Sequence, residues 1–137
     1  MALIHLDSGV LIGFLDGHDA HHPTARRSIA EALDRGDRLA MAASAWAECL
    51  VAPARLGDDA VVVVHDLRRR LPIDIVSVDV DIATAAARVR ARHRSLRLPD
   101  ALVIATAEVA GADDLVTTDR RWPTASALRL SATLRTL

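Results

Sequence analysis

Short apolar runs alternate with longer amphipathic stretches along this chain. The runs at residues 2–6, 39–43, 73–78 and 115–118, with a last one at 128–130, predict five buried strands. Between the runs, apolar residues recur at helical spacing, as at residues 24–35 and 81–95, with arginines and acids on the opposite face. This alternation predicts an α/β fold, a three-layer αβα sandwich with a mainly parallel central sheet.

The segment from Leu98 to Asp119 contains a complete helix, a stop and a strand that ends on an acid. Pro99 suits the first helical position, and Asp100 suits the first turn, where the helix dipole favours negative charge. The helix is apolar over most of its circumference, which predicts burial, and Gly111 ends it in a left-handed cap. Asp119 follows the strand, on the side where open parallel sheets bind ligands.

Composition limits the classes of protein to consider. With 137 residues, 51% apolar and 26% charged, the chain is predicted to form one domain over residues 1–137. The N-terminus has no signal-peptide pattern and the apolar runs are too short to cross a bilayer, so we expect a cytoplasmic protein. The net charge of −1 does not indicate a nucleic-acid binder. All 17 basic residues are arginine, which excludes any mechanism that needs lysine.

Three local features have competing interpretations. The loop with His18, His21 and His22 has imidazoles close in sequence, but their spacing favours a solvated turn, with metal ligation or substrate contact left open. Cys49, the only cysteine, is expected to be a small buried side chain. Glu48 lies in an otherwise apolar helix predicted to be capped by Ser44; it is either an exposed acid, which Arg55 could pair with, or part of a functional site.

Four acids occupy equivalent places in the predicted fold. Asp7 and Asp119 follow strands, whereas Glu48 and Asp100 lie in the first turns of helices, so all four should face one rim of the sheet. Carboxylates about 4 Å apart repel by roughly 1–4 kcal/mol, so a cation is expected among them. Oxygen ligands without cysteine, and without histidine at ligand spacing, favour Mg²⁺ or Mn²⁺. Arginines that flank the rim suit phosphate recognition, and the candidates are Arg94, Arg97, Arg120 and Arg121.

The segments LDSGVLI, SAWAECL, LPDALVIATA and LVTTDRRW, taken together and in this order, resemble a PIN-domain ribonuclease of the VapC-like toxin type. The resemblance implies Mg²⁺- or Mn²⁺-dependent endonucleolytic cleavage of RNA by metal-activated water. It places the catalytic acids at Asp7, Glu48, Asp100 and Asp119, the metal on Asp7, Asp100 and Asp119, and supporting hydroxyls at Ser8 and Thr117. It also implies a homodimer and inhibition by a VapB-like antitoxin bound in a helical groove, whose walls we expect to include Trp46, Leu50 and Val51.

One position departs from the pattern, and two other functions compete with this interpretation. Gly9 stands where many relatives have serine or asparagine, which removes a possible hydrogen bond but no ligand. A phosphotransfer domain also carries an aspartate after its first strand, but such domains normally need a lysine. A non-catalytic PIN fold that only binds RNA or protein is the other alternative, and the presence of all four acids argues against it.

Overall fold

The structure, a computed structural model, describes residues 1–137. Its strands are β1 (Leu3–Leu6), β2 (Arg38–Ala42), β3 (Ile73–Val76), β4 (Asp114–Thr117) and β5 (Thr133–Thr136). Its helices are α1 (Ser8–Leu15), α2 (His22–Asp34), α3 (Ala43–Leu56), α4 (Asp58–Arg70), α5 (Val80–Arg92), α6 (Leu98–Val109) and α7 (Ala125–Leu128). None of the helices combines the length and apolar character that a membrane span requires.

The five strands form one sheet in the order β3-β2-β1-β4-β5, and every pairing is parallel. The predicted sandwich with a mainly parallel sheet is therefore confirmed. Strand β1 lies at the centre, with Ile4 opposite Leu39 of β2 on one side and Asp114 of β4 on the other. The chain first builds β2 and β3 on one side of β1 and then crosses to β4 and β5. This reversal opens a crevice beyond the carboxyl ends of β1 and β4, which is where α/β sheets bind ligands.

The central strands supply the middle of one contiguous core. Leu6, Leu39 and Val116 are buried, as their positions in apolar runs require. His5 is also fully buried on β1, and neither of its ring nitrogens has a hydrogen-bond partner. Desolvation lowers the pKa of His5 to about 4, so the imidazole is neutral at pH 7. Its unpaired nitrogens are a cost that the apolar neighbours must offset.

Helix α6 follows its prediction closely. Six of its residues are buried, because the helix packs between the sheet and α5. Pro99 stands at the second helical position, after Leu98, and Asp100 lies in the first turn. Gly111 adopts a φ of 68°, the left-handed conformation predicted for the helix stop. The end of the helix therefore directs the chain straight into β4.

Two local predictions are wrong. Helix α3 begins at Ala43 directly after β2, without a side-chain cap, so Ser44 lies inside the first turn. The last strand is not at residues 128–130. That segment ends α7, which Thr124 caps by accepting a hydrogen bond from the Ala127 N–H, and Leu128 packs into the core from the helix. Arg129 then turns the chain with a φ of 56°, and the strand forms later, at β5.

Candidate active site

Asp7 is the most buried of the predicted site acids. It directly follows β1 and caps α1, with the Ser8 N–H donating to Oδ1 at 2.8 Å. The Thr117 hydroxyl, at the end of β4, donates to Oδ2 at 2.8 Å. Only 7% of the residue is exposed, and this desolvation raises the pKa of Asp7 although both hydrogen bonds favour the charged form. Thr117 therefore supports Asp7 through its hydroxyl, whereas Ser8 does so through its backbone.

Asp119 lies two residues beyond β4 and is held from both sides. Its N–H donates to the Thr117 Oγ1 at 3.0 Å, which ties the turn to the strand. Arg121 forms a two-pronged ion pair with the carboxylate, from Nε to Oδ1 and from Nη2 to Oδ2, both at 3.0 Å. The Arg121 guanidinium holds the pKa of Asp119 below its usual value.

Asp100 and Glu48 complete the group from two helices. Asp100 Oδ2 accepts a hydrogen bond from the Arg97 N–H at 3.2 Å, and the Arg97 Nε lies 4.0 Å from the same oxygen. Glu48 lies on α3 and remains largely exposed. Its pKa is raised, first by partial desolvation and then by the charges of Asp7 and Asp100. The alternative pairing of Glu48 with Arg55 does not occur.

Asp7 links the other three acids electrostatically, which locates all four at one rim of the sheet. The charges of Asp100 and Asp119 both raise the pKa of Asp7, and Glu48 responds to Asp7 and Asp100. A pocket of about 190 Å³ opens beside them, and it is lined by Ser95, Leu96, Arg97, Asp100, Asp119, Arg121 and Trp122. Segments far apart in sequence therefore converge as the four-acid pattern predicts.

The predicted phosphate-binding arginines divide into two pairs. Arg97 and Arg121 line the acidic pocket, and both contact one of its carboxylates. Arg94 and Arg120 are exposed and do not line it. Only the first pair is therefore placed to meet a phosphate group held at the acids.

The PIN-domain family model matches residues 4–128. The chain belongs to the PIN-domain family. Its membership argues against the phosphotransfer alternative, because the match covers the strands and helices that carry all four acids. None of the curated proteins matches the sequence significantly.

Solved structures with the same PIN fold come from several bacteria. VapBC2 from Rickettsia felis, bound to a promoter DNA fragment, has a TM-score of 0.72 and 13% identity, with 98% of each chain covered. VapC20 from Mycobacterium tuberculosis, a sarcin–ricin loop cleaving toxin, has a TM-score of 0.69 and 20% identity over 86% of this chain and 91% of that one. A toxin–antitoxin complex from Klebsiella pneumoniae has a TM-score of 0.62 and 23% identity, with 88% of each chain covered.

The site acids of this PIN domain have the donor atoms that a hard divalent cation prefers, but they are not spaced to hold one. Their donors are carboxylate oxygens, and the charge on Asp7 is unfavourable without a cation nearby. However, no three acidic, histidine or cysteine side chains stand close enough together to hold a metal ion. Both oxygens of Asp119 accept hydrogen bonds from Arg121, and both oxygens of Asp7 accept protein hydrogen bonds. Asp119 Oδ1 accepts two hydrogen bonds from Arg121, whereas the other three oxygens accept one each and keep a lone pair for a cation.

The histidine loop contains no such group either. His22 Nδ1 forms a hydrogen bond with the Gly13 carbonyl oxygen at 2.8 Å, and the His21 N–H donates to Asp19 Oδ1. His18 is exposed. Cys49 is buried, and desolvation raises the pKa of its thiol to about 12, so it carries no thiolate at neutral pH.

Two residues near this rim, Thr118 and Trp122, are not among the predicted site residues. A side chain at Gly9 would collide with the Thr118 Oγ1, so the threonine fills the space beside Gly9. Trp122 lines the pocket, and its indole N–H is buried without an acceptor. The aromatic residue after Asp119 was visible in the sequence, but the contact between Gly9 and Thr118 joins two distant turns and has no local signal.

An apolar groove lies next to the acids. Its volume is about 550 Å³, and it is lined by Ile12, Leu15, Asp16, Glu48, Cys49, Ala52, Pro53, Leu56, Ala60, Val63 and Val64. The groove therefore runs between α1, α3 and α4, and Glu48 belongs to both the groove and the acidic group. Trp46, Leu50 and Val51, which are predicted to contribute to the walls of an antitoxin groove, do not line this one.

Proposed function

We propose that this PIN domain is a metal-dependent endoribonuclease toxin that acts in the cytoplasm. The observation that carries the proposal is the convergence of Asp7, Glu48, Asp100 and Asp119 from four segments into one electrostatically coupled group. Its PIN fold and its likeness to toxin structures support the same function. The rim combines concentrated negative charge with two arginines, as a site for a cation and a phosphodiester requires.

Each residue of the rim has a distinct task in this proposal. Asp7, Asp100 and Asp119 would hold Mg²⁺ or Mn²⁺, which supplies an acidified water nucleophile and neutralises charge on the phosphodiester. Thr117 fixes the Asp7 carboxylate through its hydroxyl. Glu48, whose pKa is raised, accepts a proton more readily than an ordinary glutamate and is suited to take one from the attacking water. Arg97 contacts the substrate phosphate from the pocket wall.

The test is hydrolysis of end-labelled RNA by the purified protein. We expect cleavage with Mg²⁺ or Mn²⁺, loss with a chelator, and restoration by excess metal, with products that carry a 5′-phosphate. Asp100→Asn should abolish cleavage, whereas Asp81→Asn, an exposed acid at the start of another helix, should leave it unchanged. Wild-type cleavage by Asp100→Asn would contradict the proposal. RNA binding without any hydrolysis would favour the non-catalytic alternative instead.

We further propose that the apolar groove binds an amphipathic helix of a VapB-like antitoxin. The groove is long and apolar, and its exposed leucines and valines would otherwise face water; Leu56 is 84% and Val63 67% exposed. Because Glu48 lies in its lining, a basic side chain on the bound helix would reach the acids. Toxin–antitoxin complexes among the similar folds support this partner.

Co-purification with a cognate VapB-like antitoxin tests the groove. Val63→Asp should prevent complex formation because it places a charge in the groove, while cleavage of RNA by the free toxin persists. Val62→Asp is the matched control, since Val62 is also exposed but does not line the groove. A Val63→Asp complex of wild-type stability would exclude this surface. The homodimer implied by the resemblance stays a prediction, which sedimentation of the purified chain would check.

A further inference from the structure

Arg121 occupies Asp119 more completely than an ordinary surface ion pair would. Its Nε and Nη2 each donate at 3.0 Å to a different carboxylate oxygen, and its backbone N–H donates to Oδ1 at 2.9 Å. Both oxygens that face the acidic pocket are therefore engaged by one residue. Arg97, in contrast, reaches only one oxygen of Asp100, with its backbone N–H at 3.2 Å and one side-chain nitrogen at 4.0 Å.

This pairing conflicts with the use of Asp119 as a metal ligand. Oδ1 already accepts two N–H groups from Arg121, and a cation on the remaining lone pair of Oδ2 would lie beside the guanidinium, where the two positive charges repel. The Arg121 side chain is 83% exposed, and ion pairs so open to water are weak, so the contact can be broken at little cost.

The released guanidinium would have a second partner of the same shape. A planar guanidinium donates two parallel hydrogen bonds equally well to a carboxylate or to a phosphate. Arg121 lines the same pocket as Asp100 and Asp119, so a phosphate that meets a cation there is within its reach. While it stays on Asp119, its Nε–Nη2 edge is taken, and only the Nη1 hydrogens and the second Nη2 hydrogen are left for a phosphate.

We propose that Arg121 is a switch residue that neutralises Asp119 until a divalent cation takes the carboxylate, and then transfers to an RNA phosphate. The inference rests on the proposed metal-dependent function. It makes cation binding and RNA binding cooperative, because the cation frees an arginine for the RNA. Arg121 therefore opposes binding of the cation and favours binding of the RNA substrate.

Two binding measurements test the switch without relying on cleavage. Mn²⁺ affinity is measured by electron paramagnetic resonance for the wild type, Arg121→Gln and Arg120→Gln. Affinity for a short labelled single-stranded RNA is measured by anisotropy in EDTA and in Ca²⁺. Arg120→Gln is the matched control, because Arg120 is an exposed neighbour that forms no ion pair and does not line the pocket.

Arg121→Gln should bind Mn²⁺ about two- to fivefold more tightly than the wild type, since a weak exposed pair no longer competes. In EDTA the wild type and this variant should bind RNA equally. Ca²⁺ should raise the RNA affinity of the wild type more than it raises that of Arg121→Gln. Arg120→Gln should change neither the Mn²⁺ affinity nor the gain in RNA affinity from Ca²⁺.

Two negative results distinguish a failure of the switch from a failure of the proposed metal-dependent function. If Asp100→Asn weakens Mn²⁺ binding but Arg121→Gln binds it no more tightly than the wild type, the switch is wrong and the proposed metal site stands. If the wild type binds no Mn²⁺, the metal-dependent function and the switch both fail. A loss of RNA affinity in EDTA by Arg121→Gln would also overturn the switch, because Arg121 would then contact RNA without any cation.

Discussion

Asp7 and Asp119 hold equivalent places in the fold but experience opposite electrostatics. Each follows one of two adjacent parallel strands, and each is tied to Thr117. Asp7 is buried, forms no ion pair and has a raised pKa. Asp119 is more exposed, pairs with Arg121 and has a lowered pKa. The charge of one acid is unfavourable in the fold, and the charge of the other is favourable.

The comparison separates two levels of cause. Topology decides where a carboxylate lies, because the carboxyl ends of neighbouring parallel strands share one edge. The immediate neighbours decide what its charge costs, through desolvation, hydrogen bonds and nearby ions. Asp7, the inner acid of the rim, therefore gains from a bound cation. Asp119, the outer acid, is already paired with the positive guanidinium of Arg121. We expect Asp7→Asn and Asp119→Asn to differ in the size of their effect on activity and in the sign of their effect on stability.

The largest difference should appear in RNA cleavage by Asp7→Asn and Asp119→Asn. Asp7 is desolvated and has no cation of its own, so its charge acts fully on whatever binds at the rim. Its loss should reduce kcat/KM at least about 1,000-fold. Asp119 is more exposed and is partly screened by water, so its loss should reduce kcat/KM about 10- to 100-fold. Rates under single-turnover conditions with saturating Mg²⁺ measure both effects.

Circular dichroism of both variants is the control, since each must retain the fold for the rates to be comparable. The comparison breaks down if Asp119→Asn is as inactive as Asp7→Asn. In that case depth of burial would not rank the acids by their effect on the reaction.

Local patterns made part of this arrangement predictable. The helix stop at Gly111, the apolar helix before it and the acid after β4 all depend on neighbouring residues, and they lie where they were predicted. The convergence of the acids followed from the parallel sheet. Strand β5 was missed because it is short and half exposed, so the apolar Leu128 and Leu130 gave the stronger signal.

The protonation and pairing of the rim were not predictable in the same way. Arg120 and Arg121 are chemically identical neighbours, yet only Arg121 reaches Asp119. The cost of the Asp7 charge depends on burial by segments distant in sequence. The packing of Gly9 against Thr118 likewise depends on the distance between two turns. Such features are set by side-chain geometry, for which neither periodicity nor composition carries information.

The packing of Gly9 against Thr118 gives a second prediction, with an effect of intermediate size. Alanine normally stabilises a helix relative to glycine by about 1 kcal/mol. Gly9→Ala in α1 should instead destabilise the protein by about 1–3 kcal/mol, because its Cβ collides with the Thr118 Oγ1 and forces apart the turns that carry Asp7 and Asp119. Urea unfolding, followed by circular dichroism, measures the change in unfolding free energy.

Two further variants identify the cause. Gly13→Ala lies in the same helix, and its Cβ would meet its nearest neighbour, the His21 Cβ, at an acceptable 3.4 Å, so it should not destabilise to this extent. Thr118→Ala added to Gly9→Ala should recover most of the lost stability. If the double variant is no more stable than Gly9→Ala alone, the two turns are not in the contact described.

The smallest prediction concerns stability, where the two acids should differ in sign. At pH 7 Asp7→Asn should be more stable than the wild type by about 1 kcal/mol, or about 4 °C in Tm, because it removes a desolvated charge. A raised pKa in the fold means that Asp7 favours the native state below its ordinary value of 3.8 and that this benefit is lost as pH rises through the folded value. The gap between variant and wild type should therefore close as pH falls toward 4.

Asp119→Asn should lower Tm at pH 7, by no more than about 2 °C, because the ion pair that it removes is largely exposed. Its pKa is lowered in the fold, so its contribution is present above 3.8 and disappears as pH falls through the folded value. Thermal melts of both variants between pH 4 and 7, read against the wild type, give the two signs in one experiment. Added Mg²⁺ should reverse the order at Asp7, since a bound cation makes that carboxylate favourable and an asparagine cannot replace its charge. If Asp7→Asn melts below the wild type at pH 7 without metal, the Asp7 carboxylate stabilises the fold, and the inner acid of the rim has no unfavourable charge for a cation to relieve.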